Sequence, residues 1–178
     1  MTNLVPSHNF LVRGKENSQV TSYKYLGHKI RIGRDNQTCE IKRRTGLAWA
    51  AYGKLKHIFR SDIPLCLKRR VFDQCILPVM TYGSETSTLT KKSVNKVRVT
   101  QRAMERSLLG ITIRNRVPNE IILQRTRVTD AVERMACLKW SWAGHVARMS
   151  HKKWTKIIIE WRPENKPRET GDDHQPDG

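Results

Sequence analysis

The sequence predicts a mainly α-helical chain with a short N-terminal β-hairpin, an α+β arrangement. Three observations carry this. Beyond residue 38, apolar side chains recur at three- and four-residue steps, the period of an amphipathic helix. Between residues 10 and 33 they alternate with polar neighbours, and Gly27 breaks the run. Pro64, Gly110 and Pro118 fall at the joints between helical stretches. The length, 178 residues, holds one domain of ordinary size or one with a small appendage, and a hydrophobic content of 38% allows a modest core.

Phe10-Leu11-Val12 reads as a strand, Arg13 to Asn17 as a turn, and Val20 to Ile32 as one or two further strands with Tyr23, Tyr25, Ile30 and Ile32 on alternate positions. A long helix over 38–60 follows. Its stripe is Ile41, Ala48, Ala51, Leu55 and Ile58, widened by Leu47 and Phe59, with Lys42, Arg43, Arg44, Lys54 and Lys56 mostly off it. Ser61-Asp62-Ile63-Pro64 stops that helix and starts the next, because proline suits a first helical position where no N–H is needed. The second helix reaches about Leu77 on a face of Leu67, Val71 and Cys75, with Phe72 and Ile76 beside it and Lys68-Arg69-Arg70 opposite; Pro78 ends or kinks it. Val79 to Gly83 fits either state. A third helix runs from a Thr90 N-cap to Leu109 and stops at Gly110, with Val94, Val97, Met104 and Leu108 inward and Gln101 interrupting the stripe. A short helix lies around Pro118 to Arg125. Thr129 or Asp130 then caps a fifth helix to about Met149, with Val132, Met135, Ala136, Ala143 and Val146 inward and Trp140 and Trp142 close by. Trp154 to Trp161 fits helix or strand. From Pro163 onward the chain holds prolines, glycines and acids and no large apolar residue, so it is expected to be disordered.

The formal net charge is +18, from 34 Lys and Arg against 16 Asp and Glu. A charge of that size needs a counter-charge, and phosphate is the usual one. The bases cluster at Lys42-Arg43-Arg44, Lys68-Arg69-Arg70, Lys91-Lys92 with Lys96 and Arg98, Arg102 with Arg106, Arg114 with Arg116, Arg125 with Arg127, and Lys152-Lys153 with Lys156. Any one cluster is explained as a solvated helix face. All together are not, since a surface built only for solubility mixes signs. The planar fork of arginine also suits phosphate oxygens. The tryptophans are expected in core or interface, with Trp154, beside Lys152 and Lys153, the one to test for stacking on a base.

No catalytic constellation accompanies the charge. Gly171-Asp172-Asp173 has the form of a metal-binding pair, but its flanks supply no strand to hold it rigid. Cys137, His145 and His151 match no zinc spacing. There is no G-x-S-x-G and no phosphate loop of either common type. The expectation is no catalytic residue, no metal site and no cofactor in this chain. Cys39, Cys66, Cys75 and Cys137 form no C-x-x-C pair, and three of them lie in apolar helical patterns as small hydrophobes. That fits a reducing, intracellular setting, nucleus or cytoplasm. The opening MTNLVPSHNF lacks a signal-peptide core, and aliphatic runs such as Ile157–Ile159 are too short to span a membrane.

Tyr23-Lys24-Tyr25-Leu26-Gly27-His28-Lys29-Ile30 resembles the end of the reverse transcriptase of non-LTR (LINE-type) retrotransposons, in the endonuclease–reverse transcriptase group. The similarity continues through Lys68-Arg69-Arg70-Val71-Phe72-Asp73-Gln74-Cys75-Ile76-Leu77-Pro78 and Tyr82-Gly83-Ser84-Glu85-Thr86. It runs on through Gln101 to Ile111 and Leu138 to Arg148, and ends at Trp161-Arg162-Pro163, covering roughly residues 10–163. The order and spacing of these blocks carry the resemblance. It implies a palm-end hairpin with a primer-grip-like turn at Tyr25, Leu26 and Gly27 (1–36), a helical thumb (37–88) and a C-terminal helical region (89–162), followed by the tail (163–178). Full-length members of the family use two magnesium ions held by aspartates in a palm strand upstream of the hairpin, a strand this sequence does not contain. Two further departures stand out: Ser87 occupies the place of a usual aromatic, and Pro163–Gly178 replaces a Gly-Arg-Pro ending.

The expectation is therefore a truncated reverse-transcriptase fragment without polymerase activity of its own. It would bind RNA, DNA or their hybrid non-specifically, through phosphate contacts from Lys42, Arg43, Arg44, Lys68, Arg69, Arg70, Arg102 and Arg106. The alternatives are a subunit that completes the palm and fingers of a related reverse transcriptase in trans, a host-recruited DNA-binding protein using the helix pair around Pro118–Met149, and a remnant without function.

Overall fold

The computed structural model describes residues 10–12, 15–17, 20–31 and 36–161. The expectations for residues 163–178, including Gly171-Asp172-Asp173, lie outside the described residues. The chain forms two compact units, Met1–Lys139 and Trp140–Gly178.

In the first unit two antiparallel hairpins precede the helices. Strand β1 (Phe10–Val12) pairs with β2 (Lys15–Asn17), and β3 (Ser22–Tyr25) with β4 (His28–Arg31), as separate two-stranded sheets. Helix α1 (Asn36–Lys54) buries Ile41, Ala48 and Tyr52, and the short α2 (Lys56–Arg60) buries Phe59. The single helix expected over 38–60 is broken at Leu55, two residues after Gly53, where missing side-chain contacts and high backbone entropy weaken a helix. Tyr52 and Phe59 stack across the break with ring centroids 4.5 Å apart.

Pro64 caps α3 (Leu65–Val71), which runs into a wide π-type turn at Phe72–Ile76 and then α4 (Leu77–Thr81). Pro78 explains the wide turn: it has no N–H to give, and its ring crowds the preceding turn's carbonyl, so the ladder opens by one residue instead of closing. The buried face differs from the expected stripe. Phe72, Ile76, Leu77 and Met80 are inside, whereas Leu67 and Cys75, expected there, are exposed. Cys66 and Cys137 are exposed as well, so these cysteines are not the buried small hydrophobes their setting suggested.

Helix α5 (Lys91–Leu108) starts at Thr90, whose hydroxyl accepts from the Ser93 N–H at 3.2 Å. It ends in a paired-bond glycine stop: Gly110 sits at φ +69°, the Gly110 N–H donates to Ser107 O and the Ile111 N–H to Arg106 O. Helix α6 (Asn119–Thr126) and helix α7 (Ala131–Ala147) follow. Asp130 caps α7 by accepting from the N–H groups of Val132 (2.9 Å) and Glu133 (3.1 Å). One continuous core joins α1, α2, the wide turn, α4, α5 and the start of α7. Leu47, counted in the α1 stripe, is 40% exposed.

In the second unit the C-terminal half of α7 is followed by α8 (Trp154–Glu160), so the segment left open between helix and strand is helical. The Lys156 ammonium donates to Ala147 O at 3.1 Å. Trp140, Trp154 and Trp161 are each at least two-thirds exposed, so of the two expected places, core and interface, these three are not in the core.

Gln101, which interrupts the α5 stripe in sequence, is fully buried and links three segments. Its amide nitrogen donates to Glu105 Oε1 (2.8 Å) and Thr129 O (3.0 Å), and its amide oxygen accepts from the Ala131 N–H (2.7 Å). Glu105, also fully buried, accepts from the Arg102 guanidinium, which reaches on to Asp130 at 2.9 Å. Burial pushes the Glu105 carboxyl above its ordinary range, against the pull of Arg102. Asp73 of the wide turn accepts from the Thr129 N–H (3.1 Å) and hydroxyl (3.2 Å). Replacing Gln101 by Leu orphans the Ala131 N–H and the Thr129 carbonyl while keeping the volume. The expected cost is about 2–3 kcal/mol, read as a lower urea midpoint at unchanged slope.

Candidate nucleic-acid interface

The β3–β4 hairpin turns at Leu26-Gly27, both with positive φ (+45° and +75°). This is the two-residue turn whose twist matches the flanking strands, and glycine enters it without the strain that Leu26 carries. The register pairs Tyr25 with His28, Lys24 with Lys29, Tyr23 with Ile30 and Ser22 with Arg31. Alternation then sets Ser22, Lys24, Lys29 and Arg31 on one face, and Tyr23, Tyr25, His28 and Ile30 on the other.

The turn is held to α1 by one carboxylate. Glu40 is 6% exposed. It accepts from Arg43 Nε and Nη2 (2.8 and 2.6 Å), from Arg44 Nε (2.8 Å) and from the Lys29 N–H (3.2 Å). Both guanidinium groups also donate to the Gly27 carbonyl, Arg44 Nη2 at 2.7 Å. Burial alone would raise the Glu40 carboxyl, but the hydrogen bonds from Arg43, the Lys29 N–H and Arg44 win and lower it to about 2. The same pairing pushes the Arg43 guanidinium up.

Tyr82 and Gly83 close the clamp from the other side. The Tyr82 hydroxyl donates to Leu26 O at 2.9 Å, and its ring lies 4.3 Å from the Arg44 guanidinium carbon. Gly83 stands at φ +70°, and a Cβ there would meet His28 Nε2 at 1.7 Å, so a side chain at this position must push the His28 ring aside as well as bear the left-handed backbone. Tyr25-Leu26-Gly27-His28 and Tyr82-Gly83 thus form one site.

Beside this clamp, Ser22, Lys24, Lys29 and Arg43 line an open groove of about 370 Å³. Lys24 and Lys29 face each other directly across the hairpin, an arrangement that like charges disfavour. Sequence reasoning missed both lysines. The signal was available: counting one pair back from a two-residue turn at Leu26-Gly27 places them opposite one another.

The eight cations expected to contact phosphate divide into groups. Lys42 and Arg70 are exposed. Arg69 is also exposed and lies 3.6 Å from Asp73. Lys68 and Arg106 are half-buried, and Arg106 reaches Asn119 Oδ1 at 2.6 Å. Arg43 is half-buried and shared between Glu40 and Gly27. Arg44 and Arg102, each 8% exposed, face inward, because Glu40 draws in the first and Glu105 with Asp130 the second. Among the described residues no group of three or more His, Cys, Asp or Glu side chains is placed to hold a metal ion, and no helix is long and apolar enough to cross a membrane.

The chain is similar to a Caenorhabditis elegans protein described as uncharacterized and transposon-derived, with 37% identity over 156 residues. The aligned stretch covers 85% of this chain and 56% of that protein, so the chain spans little more than half its relative's length. No family model matches the chain, and no solved structure does.

Since the folded Glu40 carboxyl titrates near 2 and an unpaired one near 4.5, its contribution is complete above pH 4.5 and is lost as pH falls towards 2. The contribution is on the order of 3 kcal/mol. The protection factor of the Lys29 amide, its exchange rate relative to an unstructured amide at the same pH, should fall as pH drops through that window in the wild type, and Glu40→Gln should make it independent of pH there. Gly83→Ala should release the hairpin at all pH values and lower the melting temperature, at a cost of roughly 2–3 kcal/mol.

Proposed function

We propose that this chain derives from a transposon reverse transcriptase, of which it carries the palm-end hairpin, the helical thumb and the C-terminal helices. On this reading it holds nucleic acid by the phosphate backbone, with little sequence preference, and does not polymerise on its own. The observation that carries the proposal is the groove of Lys24, Lys29 and Arg43 beside the clamped Leu26-Gly27 turn. There Lys24 and Lys29 stand opposed across the hairpin, with Arg43, which is paired with Glu40, beside them, a concentration of like charge that a polyanion relieves.

Other features support it. Two blocks that resemble LINE-type reverse transcriptases, at Tyr23–Ile30 and at Tyr82–Thr86, meet in one clamp although Leu26 and Tyr82 lie 56 residues apart. The relative in Caenorhabditis elegans is described as transposon-derived. Tyr23, Tyr25, Leu26 and Ile30 are about half to three-quarters exposed, an apolar surface suited to the remainder of a palm. The magnesium pair of the full-length enzymes finds no fitting donor set among the described residues, so its chemistry is not assigned to them.

The test is salt dependence. Log affinity for a generic duplex should fall linearly with log salt, with a slope of about 0.9 per phosphate neutralised. Lys24→Ala/Lys29→Ala should reduce that slope by roughly two and weaken unrelated sequences alike. Arg102→Ala should instead lower the melting temperature, because it leaves Glu105 buried without its cation. A double lysine variant with the wild-type slope would remove the groove from the interface.

A further inference from the structure

A second cleft lies on the first unit, away from the hairpin residues. It holds about 670 Å³, within the range of small-ligand sites, and is walled by α2, α3, the C-terminal half of α5 and the segment that follows it. Its composition is unusual for a basic protein surface. Arg60, Lys68 and Arg106 line it, and no acidic residue does. Among the described residues Arg60 and Lys68 have no carboxylate within ion-pair distance, and Arg106 bonds only the neutral Asn119 amide oxygen at 2.6 Å. The same cleft presents apolar surface that nothing in the unit covers: Val99 is 61% exposed and Ile113 83%, with Ile111 half-buried beside them.

A ligand that satisfies both linings carries an anion at one end and a flat or compact apolar body at the other. The ends are not interchangeable. The Leu109–Ile113 segment supplies no cation to the cleft, which leaves that end to a neutral group. The anion belongs beside the three cations. We infer that this cleft takes one unstacked nucleotide of a single strand, its phosphate on Arg60, Lys68 and Arg106 and its base against Val99, Ile111 and Ile113. The inference rests on the phosphate-binding reading above and adds to it a preference for single-stranded over duplex nucleic acid, since a base paired in a helix cannot enter the cleft.

The test compares a labelled single-stranded oligonucleotide of mixed sequence with a blunt duplex, by fluorescence anisotropy at one low salt concentration. The variant is Val99→Asn/Ile113→Asn, which removes the apolar wall at two exposed positions, changes no charge and is checked by its melting temperature. The single strand should lose about five- to tenfold in affinity, in keeping with base-packing contacts, while duplex affinity stays at the wild-type value. Equal loss for both nucleic acids, or no loss for either, overturns the nucleotide site and leaves the backbone-binding reading standing. Wild-type protein that binds neither overturns both. Binding of free adenosine monophosphate as tight as that of the oligonucleotide would show a free-nucleotide pocket and reject the single-strand assignment.

Discussion

Two buried carboxylates organise this chain. With about twice as many bases as acids, compaction brings cations together, and folding succeeds only where an acid stands between them. Glu40 takes Arg43 and Arg44 and pins the hairpin to α1; Glu105, with Asp130, takes Arg102 and draws α5 and the start of α7 together. Each carboxylate also accepts from neutral donors, so its lone pairs are filled as well as its charge balanced. Removing either would strand guanidinium groups with little access to water, a far larger loss than any surface ion pair represents.

This arrangement sorts the cations by role. Arginines that face the buried acids become structural, and their forks make several bonds at once, which a lysine ammonium could not reproduce. The bases left over lie on the outside with few acidic neighbours, at Lys24 and Lys29 on the hairpin, at Lys42, and at Arg69 and Arg70 on α3. The internal pairs also join segments far apart in sequence: the wide turn meets the α6–α7 connection through Asp73 and Thr129, and the hairpin meets the end of α4 through Leu26 and Tyr82. The outer cations are thereby mounted on a frame with fixed cross-ties rather than on independent helices.

Much of the frame was legible in the sequence. The hairpin around Gly27, the Thr90 cap, the Gly110 stop, the Asp130 cap and the Pro64 restart all obey local rules of turn and cap chemistry, and those rules act within a few residues. The illegible part depends on partners distant in the chain. Arg44 and Arg102 each have an acid one helical turn away, Glu40 and Glu105, a spacing that by itself reads as a surface ion pair; what makes both pairs internal is a third element, the hairpin for one and the start of α7 for the other. Gln101 looked like a flaw in an apolar stripe and is a buried junction, since its partners, Thr129 and Ala131, sit about thirty residues away. On α3 and the wide turn the buried face lies one position on from the stripe Leu67, Val71 and Cys75, at Phe72 and Ile76, and apolar spacing alone does not choose between two adjacent stripes.

The widened turn also bears on how this protein compares with its relatives. A π-type turn holds one residue more than the α-helical path between the same two ends, and so absorbs a residue that in an unbroken α-helix would rotate everything downstream by roughly 100°. Pro78 and the surplus residue in Phe72–Ile76 are therefore a single structural feature. A descendant that lost both could run the same helix straight through without displacing any neighbour, so a one-residue gap at this point in an alignment would record a change of helical pitch and leave the tertiary arrangement intact.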